Sequence, residues 1–182
     1  RQHEKGCRVS HQIRQAGLHR SEIYARKTVF AWRGCAETNA PRSALLESAV
    51  KDDNQYAEYL LGKTFLKGED IERDTERAES LLRRSAEQGN KYAAYTLGKA
   101  YLDGDVLAQN IDEAVRLLNL SASRNFAPAQ FILGRLLYKG EVIPKDIKKA
   151  VEWLDRAAAQ KNPYATYLAG KIYLTEGEVK DI

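Results

Sequence analysis

The chain has 182 residues, 43% of them hydrophobic and 30% charged, with a formal net charge of +4. That balance belongs to a globular protein in water, and no apolar run approaches the roughly 18 residues that a membrane-crossing helix needs. No membrane contact is therefore expected and a cytoplasmic location is, while the lack of methionine and the start at Arg1 read as a piece of a longer chain.

Residues 1–38 read as a basic leader, expected to be poorly ordered or to hold a short helix. Positions 1–35 carry eight basic residues against Glu4 and Glu22, leaving 21 basic and 23 acidic residues for the rest. Contact with nucleic acid is thus expected only through this leader. His3, Cys7 and His11 stand four apart and would share one helical face, which raises a zinc site. The paired CxxC or HxxxH elements that usually close four ligands are missing, so no metal is assigned, and whether these three bind anything stays open. A Cys7–Cys35 disulfide is equally open. The segment "IYARKTVFAW" (23–32) reads as one short helix or strand.

From residue 39 the chain repeats itself. "NAPRSALLESAVKDDN" (39–54) has the pattern of a second helix whose first helix is missing, with Leu45 and Leu46 placed 36 residues before Leu81 and Leu82. Full units follow at 54–89, 90–125 and 126–161, and a partial unit fills 162–182. A fixed period of this length is the mark of stacked supersecondary units. In each unit a first helix carries a buried stripe at three-and-four spacing, such as Ala57, Leu60, Leu61, Thr64 and Phe65. It ends at Gly68, Gly104 or Gly140, residues suited to a left-handed helix terminus. After a loop of about five residues, Asp74, Asn110 and Asp146 are expected to cap a second helix, and Asn110 with Glu113 spells a capping box. Gly89 and Asn125 suit a left-handed turn after the second helix, and Lys161 departs from that rule.

Gly62, Gly98, Gly134 and Gly170 recur in the middle of the first helices. A glycine there costs about 1 kcal/mol relative to alanine, so its recurrence predicts a compensating close approach of another helix. The expected architecture is all-α, a solenoid of antiparallel helix-turn-helix units in which each buries its apolar face on its neighbours.

The runs "YAAYTLGKAYLDGD" with "NIDEAVRLLNLSASRN", and "FAPAQFILGRLLYKGEVIPKDIKKAVEWLDRAAAQK", resemble the Sel1-like repeat, a relative of the tetratricopeptide repeat, over positions 54–175. The resemblance implies a right-handed superhelix whose first helices line a concave, partner-gripping face. The fourth unit departs from the pattern, with Gly177 displaced by one residue.

No histidine follows His19 and no Gly-rich phosphate loop occurs, so no catalytic residue, cofactor or enzymatic activity is expected. Glu69, Asp70, Asp103, Asp105 and Glu141 read as solvated loop charge. Two sets of first-helix positions remain as surface candidates. Glu58, Ala94, Gln130 and Thr166 vary from unit to unit, as a specificity surface would, while Lys63, Lys99, Arg135 and Lys171 form a cationic ladder. The ladder could bind an acidic or extended segment, or its side chains could simply snorkel over the aromatic stripe. The expected function is a non-catalytic scaffold or adaptor for a protein or peptide partner of unidentified kind, its oligomeric state open. A second reading draws on a similarity to Sel1-like arrays at the ends of bacterial mobilisation relaxases, which implies an accessory region of a DNA-processing enzyme whose catalytic domain lies outside this chain. A cysteine-rich secreted repeat protein is disfavoured, since no cysteine falls within the units.

Overall fold

The computed structural model describes residues 42–51, 53–68 and 71–175, all within one compact unit, Arg42–Ile182. The leader, with His3, Cys7, His11, Cys35 and segment 23–32, lies outside the described residues, as does Gly177. Eight helices and no strand occur among the described residues: α1 (Arg42–Lys51), α2 (Gln55–Lys67), α3 (Thr75–Glu87), α4 (Lys91–Asp103), α5 (Ile111–Ser123), α6 (Ala127–Lys139), α7 (Ile147–Ala159) and α8 (Pro163–Thr175). Helices α2/α3, α4/α5 and α6/α7 pair most extensively, and each pair then packs on the next. This is an all-α solenoid of helical hairpins.

Local chemistry sets the ends. The Asn54, Asn90 and Asn162 side chains each accept hydrogen bonds from the amides two and three residues on, satisfying donors that the first turn leaves orphaned. Phe126 stands in the same place before α6 and caps nothing with its side chain. Gly68, Gly104 and Gly140 close α2, α4 and α6 with φ of 68°, 74° and 68°, the left-handed conformation expected of them. Asp74, Asn110 and Asp146 cap α3, α5 and α7, each accepting from the amide three residues on at 3.0–3.1 Å.

Two expectations require correction. The capping box at Asn110 is half formed: the Asn110 amide donates to the Tyr101 carbonyl at 3.1 Å, so Glu113 has no donor to reach back to and turns to Arg83 and Arg116. The same closure recurs as Asp74 N–H to Phe65 O and Asp146 N–H to Leu137 O, tying each second helix to the first. Lys161, in turn, does not break the turn rule. Asp53, Asn125 and Lys161 have φ of 52°, 59° and 63°, and Gly89 has 107°, so every hairpin junction makes the same left-handed step whatever residue occupies it.

The mid-helix glycines sit where the second helix of the same hairpin comes closest. A Cβ on Gly98 would lie 3.1 Å from Leu117 Cβ and 3.2 Å from the Ala114 carbonyl, and Gly62 is as tight against Leu82 and Ala78. Leu82, Leu118 and Leu154, all fully buried, fill the space above the glycines, and Ala78, Ala114 and Ala150 let the backbones meet. Burial of such a leucine contributes about 2 kcal/mol, more than the helical penalty of the glycine beneath it. Buried hydroxyls finish the joints, with Ser85 donating to the Gln55 carbonyl at 2.6 Å and Ser121 to that of Lys91 at 2.8 Å.

Candidate interaction surface

First helices occupy one side of the array. There α2 touches α4 and α6 touches α8, while no two second helices meet to that extent. An open groove of about 350 Å³ runs between α2 and α4 and on to Phe126. Its apolar wall is a chain of rings: Tyr59 lies 5.9 Å from Tyr92, and Tyr92 and Tyr95 meet Phe126 edge-on at 5.2 and 5.1 Å. Edge-to-face packing of this kind adds about 1 kcal/mol per pair and holds the rings in fixed orientation. Lys63 and Lys99 line the groove together with Asp103 and Asp105. Burial, with a smaller contribution from Asp103, raises the Tyr95 hydroxyl above its ordinary pKa.

The cationic ladder lies at the surface, but its members differ. Lys63 Nζ sits 5.8 Å from the Tyr59 ring centre and the Arg135 guanidinium 5.8 Å from that of Phe131, each over the aromatic residue one turn earlier. Lys99 points instead toward Asp103, 4.0 Å away. Lys63 and Lys99 share the groove; Arg135 and Lys171 lie outside it.

Glu58, Ala94 and Gln130 are not surface residues, which corrects the sequence reading. All three are at most 2% exposed, and only Thr166 is open to solvent. The cause is register. Each stands four residues before a close-packed glycine, so it faces the second helix. Glu58 is held by Arg84, with Nε at 2.7 Å from Oε1, and by Gln88 at 3.4 Å, while its Oε2 has no hydrogen-bond partner. Gln130 accepts from Gln160 at 2.7 Å and donates to the Ala122 carbonyl at 3.1 Å. The variation along this column therefore matches partners within the chain. The sequence reading also missed Tyr92 and Phe126, whose signal was an aromatic residue two positions after, or in place of, a capping asparagine.

A polar cluster ties the hairpins along their edge. Arg83 donates to Glu79, Glu113 and the Tyr101 hydroxyl at 2.8–3.0 Å, and Tyr101 donates to Glu79 at 2.6 Å. The hydrogen bonds from Arg116, reinforced by the charge of Arg83, bring the Glu113 carboxyl down to about 2. Burial and the bond to Glu79 push Tyr101 up to about 12. No group of three or more His, Cys, Asp or Glu side chains suited to a metal occurs among the described residues, and no described helix is long and apolar enough to cross a membrane.

The family model described as Sel1 repeat matches residues 55–90, 91–126 and 127–162. Among solved structures, a Sel1 repeat protein from Oxalobacter formigenes is similar at 32% identity and a TM-score of 0.66, over 71% of this chain and 53% of its own. The c5321 protein, described as a protective antigen present in uropathogenic Escherichia coli strains with an SLR fold, gives 28% identity and 0.70 over 75% and 29%. The cysteine rich protein B of Helicobacter pylori, at 17% identity and a TM-score of 0.57 over 72% and 99%, shares the fold alone. The chain spans about half the length of the first of these and under a third of the second. No curated protein sequence matches it. Sel1 repeat proteins are generally non-catalytic scaffolds for protein interactions. With three consecutive matched units covering more than half of its length, this chain belongs to the Sel1 repeat family.

Proposed function

We propose that the chain is a non-catalytic interaction scaffold that holds a protein or peptide partner in the groove between α2 and α4. The observation that carries this reading is the run of Tyr59, Tyr92, Tyr95 and Phe126 rings, pinned against one another and flanked by Lys63 and Lys99. Rigid aromatic surface loses little entropy when covered, and charges at its margin orient an approaching segment. The paired signs, two lysines with Asp103 and Asp105, favour a partner that presents an apolar side chain between charged ones.

Affinity capture with the full chain tests it, using Lys63→Glu with Lys99→Glu and, separately, Arg135→Glu, which lies outside the groove. The reading expects one protein to be retained by the parent and by the Arg135 variant and lost with the double variant. Equal retention by all three baits, or by none, would remove the groove as the binding surface.

A further inference from the structure

The groove between α2 and α4 has a spacing that selects the shape of what fills it. Tyr59 on α2 and Tyr95 on α4 hold the same position in successive units, and each stands in a ring pair: Tyr59 lies 5.9 Å from Tyr92, and Tyr95 lies 5.1 Å from Phe126. The two pairs meet where Tyr92 and Phe126 pack edge-on, so the apolar wall offers one ring pair per first helix. Helices that touch, as α2 and α4 do, run about 8–10 Å apart axis to axis, and that distance sets the step between the pairs. A polyproline II segment advances about 9 Å per three-residue turn, so its residues three apart fall on successive first helices. A strand returns a side chain to the same face after about 6.6 Å and an α-helix after about 5.4 Å, and neither matches the step in one repeat.

The polar groups agree with that shape. A polyproline II segment has no internal hydrogen bonds, so its carbonyls need donors from outside. The Tyr59 and Tyr95 hydroxyls have no hydrogen-bond partner among the described residues. Charge sets the direction. Lys99 and Asp103 face one another at 4.0 Å, whereas Lys63, over the Tyr59 ring, and Asp105, just past the end of α4, form no ion pair among the described residues. We infer that the groove takes a proline-rich segment of a protein partner in the polyproline II conformation. Two prolines three apart sit on the Tyr59–Tyr92 and Tyr95–Phe126 pairs, with an acidic residue on the Lys63 side and a basic one on the Asp105 side. Proline brings this conformation ready-made, so little entropy is lost when the segment is bound. The inference rests on the groove being the partner-binding surface.

Fluorescence anisotropy of labelled synthetic peptides with the full chain tests it. The first peptide carries a glutamate, two prolines three apart and an arginine, in that order; a second of the same composition has its prolines adjacent, and a third has alanine for both. The first is expected to bind saturably with a Kd of about 100 µM or below, and the other two about tenfold more weakly or worse. Tyr59→Ser should weaken the first peptide by about tenfold. If that variant loses the parent's helical signal, Lys63→Glu with Asp105→Lys at the groove margin serves in its place, and should prefer the peptide with glutamate and arginine exchanged. No binding of the first peptide at about 1 mM, equal binding of all three, or variants that bind as the parent does would each overturn the proposal. A protein captured through Lys63 and Lys99 while the first peptide fails to bind would keep the groove as a partner surface and remove its proline-rich occupant.

Discussion

A Cβ placed on Gly134 would lie 2.6 Å from Cγ of Leu154, closer than real side chains come. Gly134→Ala must therefore displace α7 or force Leu154 off its rotamer, at about 1 to 3 kcal/mol, which outweighs the gain of about 1 kcal/mol in helix propensity. Gly170→Ala collects the propensity gain with nothing to displace. Denaturant midpoints should fall for the first variant and hold or rise for the second, and equal behaviour would refute the close-approach account.

The Glu58–Arg84 pair predicts an asymmetry. Glu58 is fully buried while the Arg84 side chain is 47% exposed, so Arg84 without its partner still has water. Arg84→Met strands a buried carboxylate and is expected to cost about 3 kcal/mol, whereas Glu58→Met should lie near neutral. Urea unfolding of both variants decides it; similar losses would mean that the attraction, and not desolvation, dominates the pair.

Lys161 holds a left-handed φ of 63° at a junction where Gly89 serves one unit and Asn125 another. Glycine adopts that conformation freely and lysine does not, so Lys161→Gly should stabilise the array by about 0.5 to 1 kcal/mol. Thermal melts comparing it with Gly89→Ala, which should lose stability, check the sign.

Glu113 carries a pH dependence. Its folded pKa is depressed to about 2 from an ordinary 4.5, so its contribution is complete above about 4.5 and fades as pH falls toward about 2. Because the side chain is 19% exposed, the contribution is taken as about 2 kcal/mol rather than the full shift. The difference in unfolding free energy between the parent and Glu113→Gln should shrink across that window, and a constant difference would contradict the assignment.

The Tyr101 and Tyr173 hydroxyls are held up to about 12 and should ionise late. Burial dominates at Tyr101 and the bond to Asp155 at Tyr173. Absorbance titration at high pH should show a late step that shrinks by half in Tyr173→Phe. The neutral forms are the ones the fold stabilises, so this support is present below about 10 and lost as pH rises through about 12.

What the sequence made legible was local. A glycine at a helix end, an aspartate before a helix and a stripe at three-and-four spacing each act within one turn, and Gly68, Asp74 and the Ala57–Leu61–Phe65 stripe stand where their pattern placed them. What it hid depended on a second helix. Glu58 looked like surface because it is charged and variable, and only the hairpin partner across Gly62 shows it to be interior. Lys161 looked like an exception because the left-handed step is imposed by the chain reversal and not chosen by the residue. The Asn110–Glu113 box is only half formed for the same reason, since a carbonyl from another helix took the Asn110 amide first. Phe126 gave up a capping side chain and contributes a ring to the groove instead.

The amides of Asp74, Asn110 and Asp146, which a free helix would leave to water, are each committed to a carbonyl of the partner helix in their hairpin. In a deuterium-exchange experiment they are clocks: each loses its proton only when its own hairpin parts, so their three rates time the opening of the array one unit at a time.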